Sequence, residues 1–423
     1  MTDPSSLPPA AAWGREILDR LELLARHSEG GPGVTRRLAT PEHRAVHELL
    51  AGWMAEAGMT VGMDAAANTC GRYEASAPGA PALMMGSHQD TVRQGGRYDG
   101  ILGVVVPLAC VKVLHDAGER LPFALEVVAF SDEEGLRFGT GFFGSAAIIG
   151  EPRVEDLDRL DDQGVSLAQA LRDFGLDPEA LPGAARRPEE LHGFVEVHIE
   201  QGPVLEAEGL PVGIVTDITH GANMTVTLTG VAGHAGTVPM TRRQDALAGA
   251  AEGIQAVEAR CRASDRLVGT VGQLMVEPGA SNVIPGGCRF SVDLRSPDPA
   301  LLRDAVADLE ARLSEIAGER KLGLDVERRY KLPGCPCSPW LMDQLEAAVE
   351  AEGVAPRRLF SGAGHDAMAL RRIADIAMLF MRCTGGISHN PAEAITAEDA
   401  GTAARVLLRF LRAFDPAGRP AAR

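Results

Sequence analysis

Apolar residues recur at helical spacing near the start of the chain, at Ile17, Leu21 and Leu24 and again at Val46, Leu49, Leu50 and Met54. A Gly-rich break at 30–33 separates the two sets, so the pattern predicts two helices within about 13–58. Three apolar runs follow, at 82–86, 125–130 and 193–197. Each leads into a polar turn: Ser87-His88-Gln89-Asp90, Ser131-Asp132-Glu133-Glu134 and His198-Ile199-Glu200-Gln201. Short strands alternating with helical segments predict an α/β layered fold with a mixed sheet, in which sites form beyond the strand ends.

From about Asp217 the pattern changes to alternating strands at 224–229 and 288–294, interleaved with helices predicted over 245–264 and 299–318. This reads as an inserted α+β module at 217–330. The chain returns through the Pro- and Cys-crowded stretch 331–339, and helices at 342–352 and 397–413 then flank a last strand at 377–382. Residues 1–216 and 331–423 are thus expected to form one catalytic domain in two parts. The two crossings, 211–217 and 331–339, are the expected hinges.

The size of the chain supports this division, because 423 residues exceed what one hydrophobic core organises. A net charge of -17 and a pI near 5.1 argue against nucleic acid or an anionic membrane as partner. Residues 1–14 do not resemble a signal peptide, and the most apolar stretch, from 101 to 110, soon meets Lys112 and His115. Seven cysteines form no regular framework, which fits a reducing cytoplasm.

Candidate chemistry gathers at the predicted strand ends. A His two residues before an Asp, as in His88 and Asp90, can bind metal through one ring nitrogen while the carboxylate orients the ring through the other. Asp99 lies among Gly95, Gly96 and Gly100, and a carboxylate there can join two cations through its two oxygens. Glu133 and Glu134 can divide metal binding and proton transfer, although adjacent acids are more often solvated surface. With His198 and His389 the set gives each of two metals three protein ligands and leaves room for a bridging hydroxide. His43 and His47, four apart on a predicted helix, lack the zincin pattern and read as surface. His365-Asp366 reads as a wall of the site.

The order His88-x-Asp90, Asp99, Glu133-Glu134, His198 and His389 resembles the amidase/hydantoinase/carbamoylase family of binuclear metallohydrolases. So do the longer stretches HIEQGPVLE from His198, GHAGTVPM from Gly233, SNVIP from Ser281 and SGAGHDA from Ser361. The resemblance implies a metallopeptidase-like catalytic domain carrying an inserted dimerisation and lid domain. It implies that His88 and His198 hold one divalent metal, that Glu134 and His389 hold the other, that Asp99 bridges them, and that Glu133 is the general base. Zinc or manganese is expected, and cobalt or nickel fit the same donors. Arg295 resembles the family's carboxylate clamp, Asn282 its partner, Gln201 a substrate contact, and His234 the histidine that reaches a neighbouring subunit's site in a homodimer. The implied activity is hydrolysis of a C–N bond in a small anionic ureido compound. Residues 380–383 together with Thr237 and Val238 are similar to allantoate amidohydrolases, with N-carbamoyl-L-amino acid hydrolases as the alternative. A binding protein that kept the fold and lost the chemistry has no need of Glu133.

Overall fold

The computed structural model describes residues 7–420 and separates into two compact units. The first comprises Met1–Thr216, Cys337–Leu359 and His365–Arg423, and the second Asp217–Pro336 with Phe360–Gly364.

In the first unit, helices α1 (Ala10–Ala25) and α2 (Pro41–Glu56) precede the strands β1 (Thr60–Met63), β2 (Thr69–Tyr73) and β3 (Ala82–His88). Helix α3 (Leu102–Asp116) and strands β4 (Ala124–Phe130), β5 (Leu191–Ile199) and β6 (Val212–Ile218) follow. The sheet is mixed, in the order β1, β2, β4, β3, β5, the late strand Ile376–Met381, then β6. Its centre is parallel: β3 pairs with β4 and β5, and Ile376–Met381 with β5. Every residue of β3, β4 and Ile376–Met381 is buried. A strand covered on both faces needs apolar residues at every position, which is why these segments appear in sequence as unbroken runs. Helix α3 is apolar nearly all round and packs on β3 and β5. The parallel strands all point the same way, so their carboxyl ends deliver the turns after His88, Phe130, Ile199 and Met381 to one edge.

One reading of the sequence needs correcting here. His43 is 1% exposed and not a surface residue. Its ring lies 5.1 Å from that of Phe174, and Nδ1 accepts the Ala39 N–H at 3.1 Å. Burial pushes its pKa down to about 3, so it is a neutral structural histidine.

The second unit is an antiparallel sheet in the order Leu274–Glu277, Gly287–Ser296, His220–Thr229, Gly323–Leu332, with Val268–Thr270 also pairing to Gly287–Ser296. Burial alternates along the two central strands, and Val226, Leu228, Phe290 and Leu294 face the helices Ala246–Arg262 and Pro299–Arg320. Asp245 and Asp298 start those helices by accepting the N–H groups of Leu247 and Ala248, and of Ala300 and Leu301. Residue 330, the expected boundary, falls inside Gly323–Leu332; this strand pairs with His220–Thr229 to its end, so the unit continues to Pro336.

Candidate metal centre

Asp99 is the hub. It begins the turn that leads into α3, and its buried carboxylate presents one oxygen to each of two groups of side chains. Oδ1 lies 3.1 Å from His198 Nε2 and 3.6 Å from His88 Nε2. Oδ2 lies 3.2 Å from His389 Nε2, and that nitrogen is 3.3 Å from Glu134 Oε1. Gly100, at φ +68°, permits the approach, since a Cβ there would come within 2.3 Å of the His88 ring. His88 Nδ1 faces the Asp90 carbonyl oxygen at 2.9 Å, and His198 Nδ1 faces that of Ile199 at 2.9 Å. These carbonyls hold the protons on Nδ1 and turn both Nε2 lone pairs inward.

The Asp90 carboxylate does something other than the sequence suggested. It stands 3.7 Å from His88 Nδ1 and accepts the backbone N–H groups of Glu133 at 3.0 Å and Glu134 at 3.1 Å. It therefore ties the acidic turn after β4 to the histidine turn after β3.

Electrostatics follow from this crowding. Burial alone would lower the His88 and His198 pKa values, yet Asp99 and the surrounding acids carry both above the ordinary range. For His389, hydrogen bonds to Asp99 and Glu134 push it up to about 10. Asp99 is held well below the usual carboxylate range: its burial opposes this, and the three histidines outweigh it. The Glu133 carboxyl is pushed well up by burial, with Glu134 and Asp366 adding to the effect and His88 opposing it.

The structure separates the remaining expected residues. Gln201 is beside Asp99, its Nε2 donating to Asp99 Oδ2 at 3.0 Å and to Ser388 Oγ at 3.3 Å. His234, Asn282 and Arg295 belong to the second unit. There, His234 pairs in register with Val283, and Ala235 N donates to the Asn282 carbonyl at 3.0 Å, which brings His234 and Asn282 side by side. Arg295 lies on the open face of the sheet, opposite Gly221, with Nε and Nη2 each donating to Asp293 at 3.0 Å. It lines a cavity of about 700 Å³ with Asn223, Thr225, Gln273 and Asp293.

Residues 84–413 match the peptidase family M20/M25/M40. The chain belongs to that family. This M20/M25/M40 member is 44% identical over 396 residues to an N-carbamoyl-L-amino acid amidohydrolase of Geobacillus stearothermophilus, covering 93% of this chain and 97% of that one. It is 39% identical to an allantoate deiminase of Arabidopsis thaliana, over 94% of this chain and 81% of the relative. Among solved structures, an amidase of the hydantoinase/carbamoylase family from Burkholderia multivorans superposes with a TM-score of 0.90 at 34% identity, covering 96% and 98% of the two chains.

The donor set of the M20/M25/M40 member suits divalent cations. Its ligand atoms converge to within 4.8 Å in His88–Asp99–His198 and in Asp99–Glu134–His389, two groups that share Asp99. Imidazole lone pairs and carboxylate oxygens that face one another need protons or cations between them, and a mixed nitrogen and oxygen set suits divalent metal ions in general. Further groups that could hold a cation are His88–Glu133–Glu134 and Glu196–His198–His365. In the latter, Glu196 is committed elsewhere, to Ser87 Oγ at 2.7 Å and to the Ala367 N–H at 3.1 Å.

Two residues of the centre were not singled out in sequence. Ser388 Oγ donates to Asp99 Oδ2 at 2.6 Å, and Glu393 Oε1 accepts the N–H groups of Tyr98 at 2.8 Å and Asp99 at 3.1 Å. Burial, together with the nearby Asp99, raises Glu393 to about 7. The only local signal is their position around His389. His365 and Asp366 are both buried behind the centre, the His365 ring standing edge-on to His198 at 4.6 Å.

Proposed function

We propose that this chain hydrolyses a C–N bond of a small anionic ureido compound, with allantoate as substrate. The observation that carries the reading is the Asp99 carboxylate, which offers one oxygen to His88 and His198 and the other to His389 and Glu134, with Glu133 alongside. His88, His198 and Asp99 would hold one divalent cation, and Glu134, His389 and Asp99 the second. Bound there, such ions polarise a carbonyl and lower the pKa of a bound water.

Glu133 removes the proton from the attacking water as the C–O bond forms, and delivers it to the departing nitrogen as the C–N bond breaks. A carboxyl with a raised proton affinity suits both halves of that transfer. Asp90 holds the Glu133 and Glu134 backbone in place, so the base and the neighbouring ligand keep their spacing. Arg295, Asn282, His234 and Gln201 supply recognition, Arg295 taking the substrate carboxylate. We also propose a homodimer formed through the second unit, and a cytoplasmic location. Among the described residues, no helix is long and apolar enough to cross a membrane.

A second reading, N-carbamoyl-L-amino acids as substrates, is favoured by the 44% identity to the Geobacillus relative. Assays of the metal-supplemented protein on allantoate and on a series of N-carbamoyl-L-amino acids, followed by product chromatography, decide between them. Allantoate should be consumed fastest. Faster consumption of an N-carbamoyl amino acid selects the second reading, and inertness towards both removes the ureido assignment.

Cation binding should depend on pH. Imidazole ligands must lose their protons before they coordinate, and His389 in the metal-free centre titrates at about 10. Binding at neutral pH therefore releases protons, and apparent affinity should rise from pH 6 to pH 9. Chelator competition across that range is the measurement; an affinity that stays flat would remove His389 from the ligand set.

A further inference from the structure

Arg36 sits between α1 and α2 and is 1% exposed. A buried guanidinium is costly unless its N–H groups and its charge are met. Here backbone carbonyls meet the N–H groups. Nε donates to the Gln89 carbonyl at 2.6 Å, and Nη1 to those of Leu24 and His27, both at 3.2 Å. The backbone repeats the link: Arg36 N donates to Thr91 Oγ1 at 2.9 Å and Thr91 N to the Arg36 carbonyl at 3.0 Å.

These partners have distinct meanings. Leu24 is in the last turn of α1, and its carbonyl also accepts the backbone N–H of His27 at 3.1 Å. Gln89 lies between His88, whose Nε2 faces Asp99, and Asp90, whose carboxylate holds the backbone of Glu133 and Glu134. Asp90 is also the charge that acts on Arg36 through space. One buried cation therefore joins the end of α1 to the turn from which both acidic residues are hung.

We propose that Arg36 is a positioning residue for the metal centre: it fixes the 88–90 turn against α1 and balances the buried Asp90 carboxylate, holding His88 and Glu134 at their spacing. This rests on the reading of those two residues as metal ligands. A simple helix cap would stabilise α1 without affecting cation affinity, and that difference is measurable.

The experiment titrates zinc into the metal-stripped full chain by calorimetry, for the wild type, Arg36→Met and Arg36→Lys, and records each Tm. Losing a group that supports a ligand costs about 10–100-fold in metal affinity, and that loss is expected for Arg36→Met. Arg36→Lys should fall between it and the wild type, because an ammonium keeps the charge but cannot span three carbonyls. At saturating zinc, KM should remain near the wild-type value while kcat falls. Wild-type zinc affinity in Arg36→Met, even with a lowered Tm, would overturn the proposal and leave Arg36 as a helix cap. If Arg36→Met does not fold, Arg36→Lys decides by the same titration, and unchanged affinity there overturns it as well. A wild-type chain that binds no zinc would overturn the metal reading and this proposal together, whereas equal affinities overturn the proposal alone.

Discussion

Glu133→Gln should bind zinc as the wild type does while its turnover falls about 10²–10⁴-fold, the usual contribution of a positioned general base. That loss corresponds to about 3–5 kcal/mol of transition-state stabilisation. Gln preserves shape, and the backbone N–H of residue 133 keeps its bond to Asp90, so the acidic turn and Glu134 remain in place. What disappears is the acceptor for the water's proton. Metal content and kcat measured on the same preparation separate the two effects. Turnover within about tenfold of wild type would assign proton transfer to another group.

Asp99→Ala should be more severe, because one carboxylate serves both groups of donors. Without it, the oxygen facing His88 and His198 and the oxygen facing His389 are lost together, and the Ser388 hydroxyl and Gln201 amide each lose an acceptor. Cation affinity should fall by more than about 100-fold, beyond what loss of a residue that only supports a ligand costs. Activity should vanish at any practical metal concentration. Dialysis followed by metal analysis is the check, with circular dichroism to confirm the fold. Retention of two tightly held ions would show that Asp99 does not join them.

Much of this centre is visible in sequence for a physical reason. The central strands are covered on both faces, so each must be apolar throughout, and the polar residues at their ends stand out against those runs. His88, Glu133, Glu134 and His198 are found that way. The second unit is legible for the complementary reason: one face of its sheet is covered, and burial alternates. What stays hidden depends on distant partners. Glu393 meets the Tyr98 and Asp99 backbone across nearly three hundred residues of chain, and no local pattern marks such a bond. His43 resembles a surface position on a helix until Phe174 covers it. Arg36 carries a charge normally read as solvated, and its partners are carbonyls, which every residue possesses and no sequence displays.

The wide spacing of the Asp99 partners along the chain also bears on synthesis. Between His198 and His389 lie about 190 residues, including the whole of the second unit. At the usual pace of translation that interval lasts on the order of ten to forty seconds. During it the emerging chain holds His88, Asp99 and His198 but lacks His389, Ser388 and the Glu393 carboxylate that braces the Asp99 backbone. On the proposed ligand set, the second cation position is complete only once Ile376–Met381 has paired with β5 and His389 faces Asp99, so loading of both positions would report that the last strand has joined the sheet.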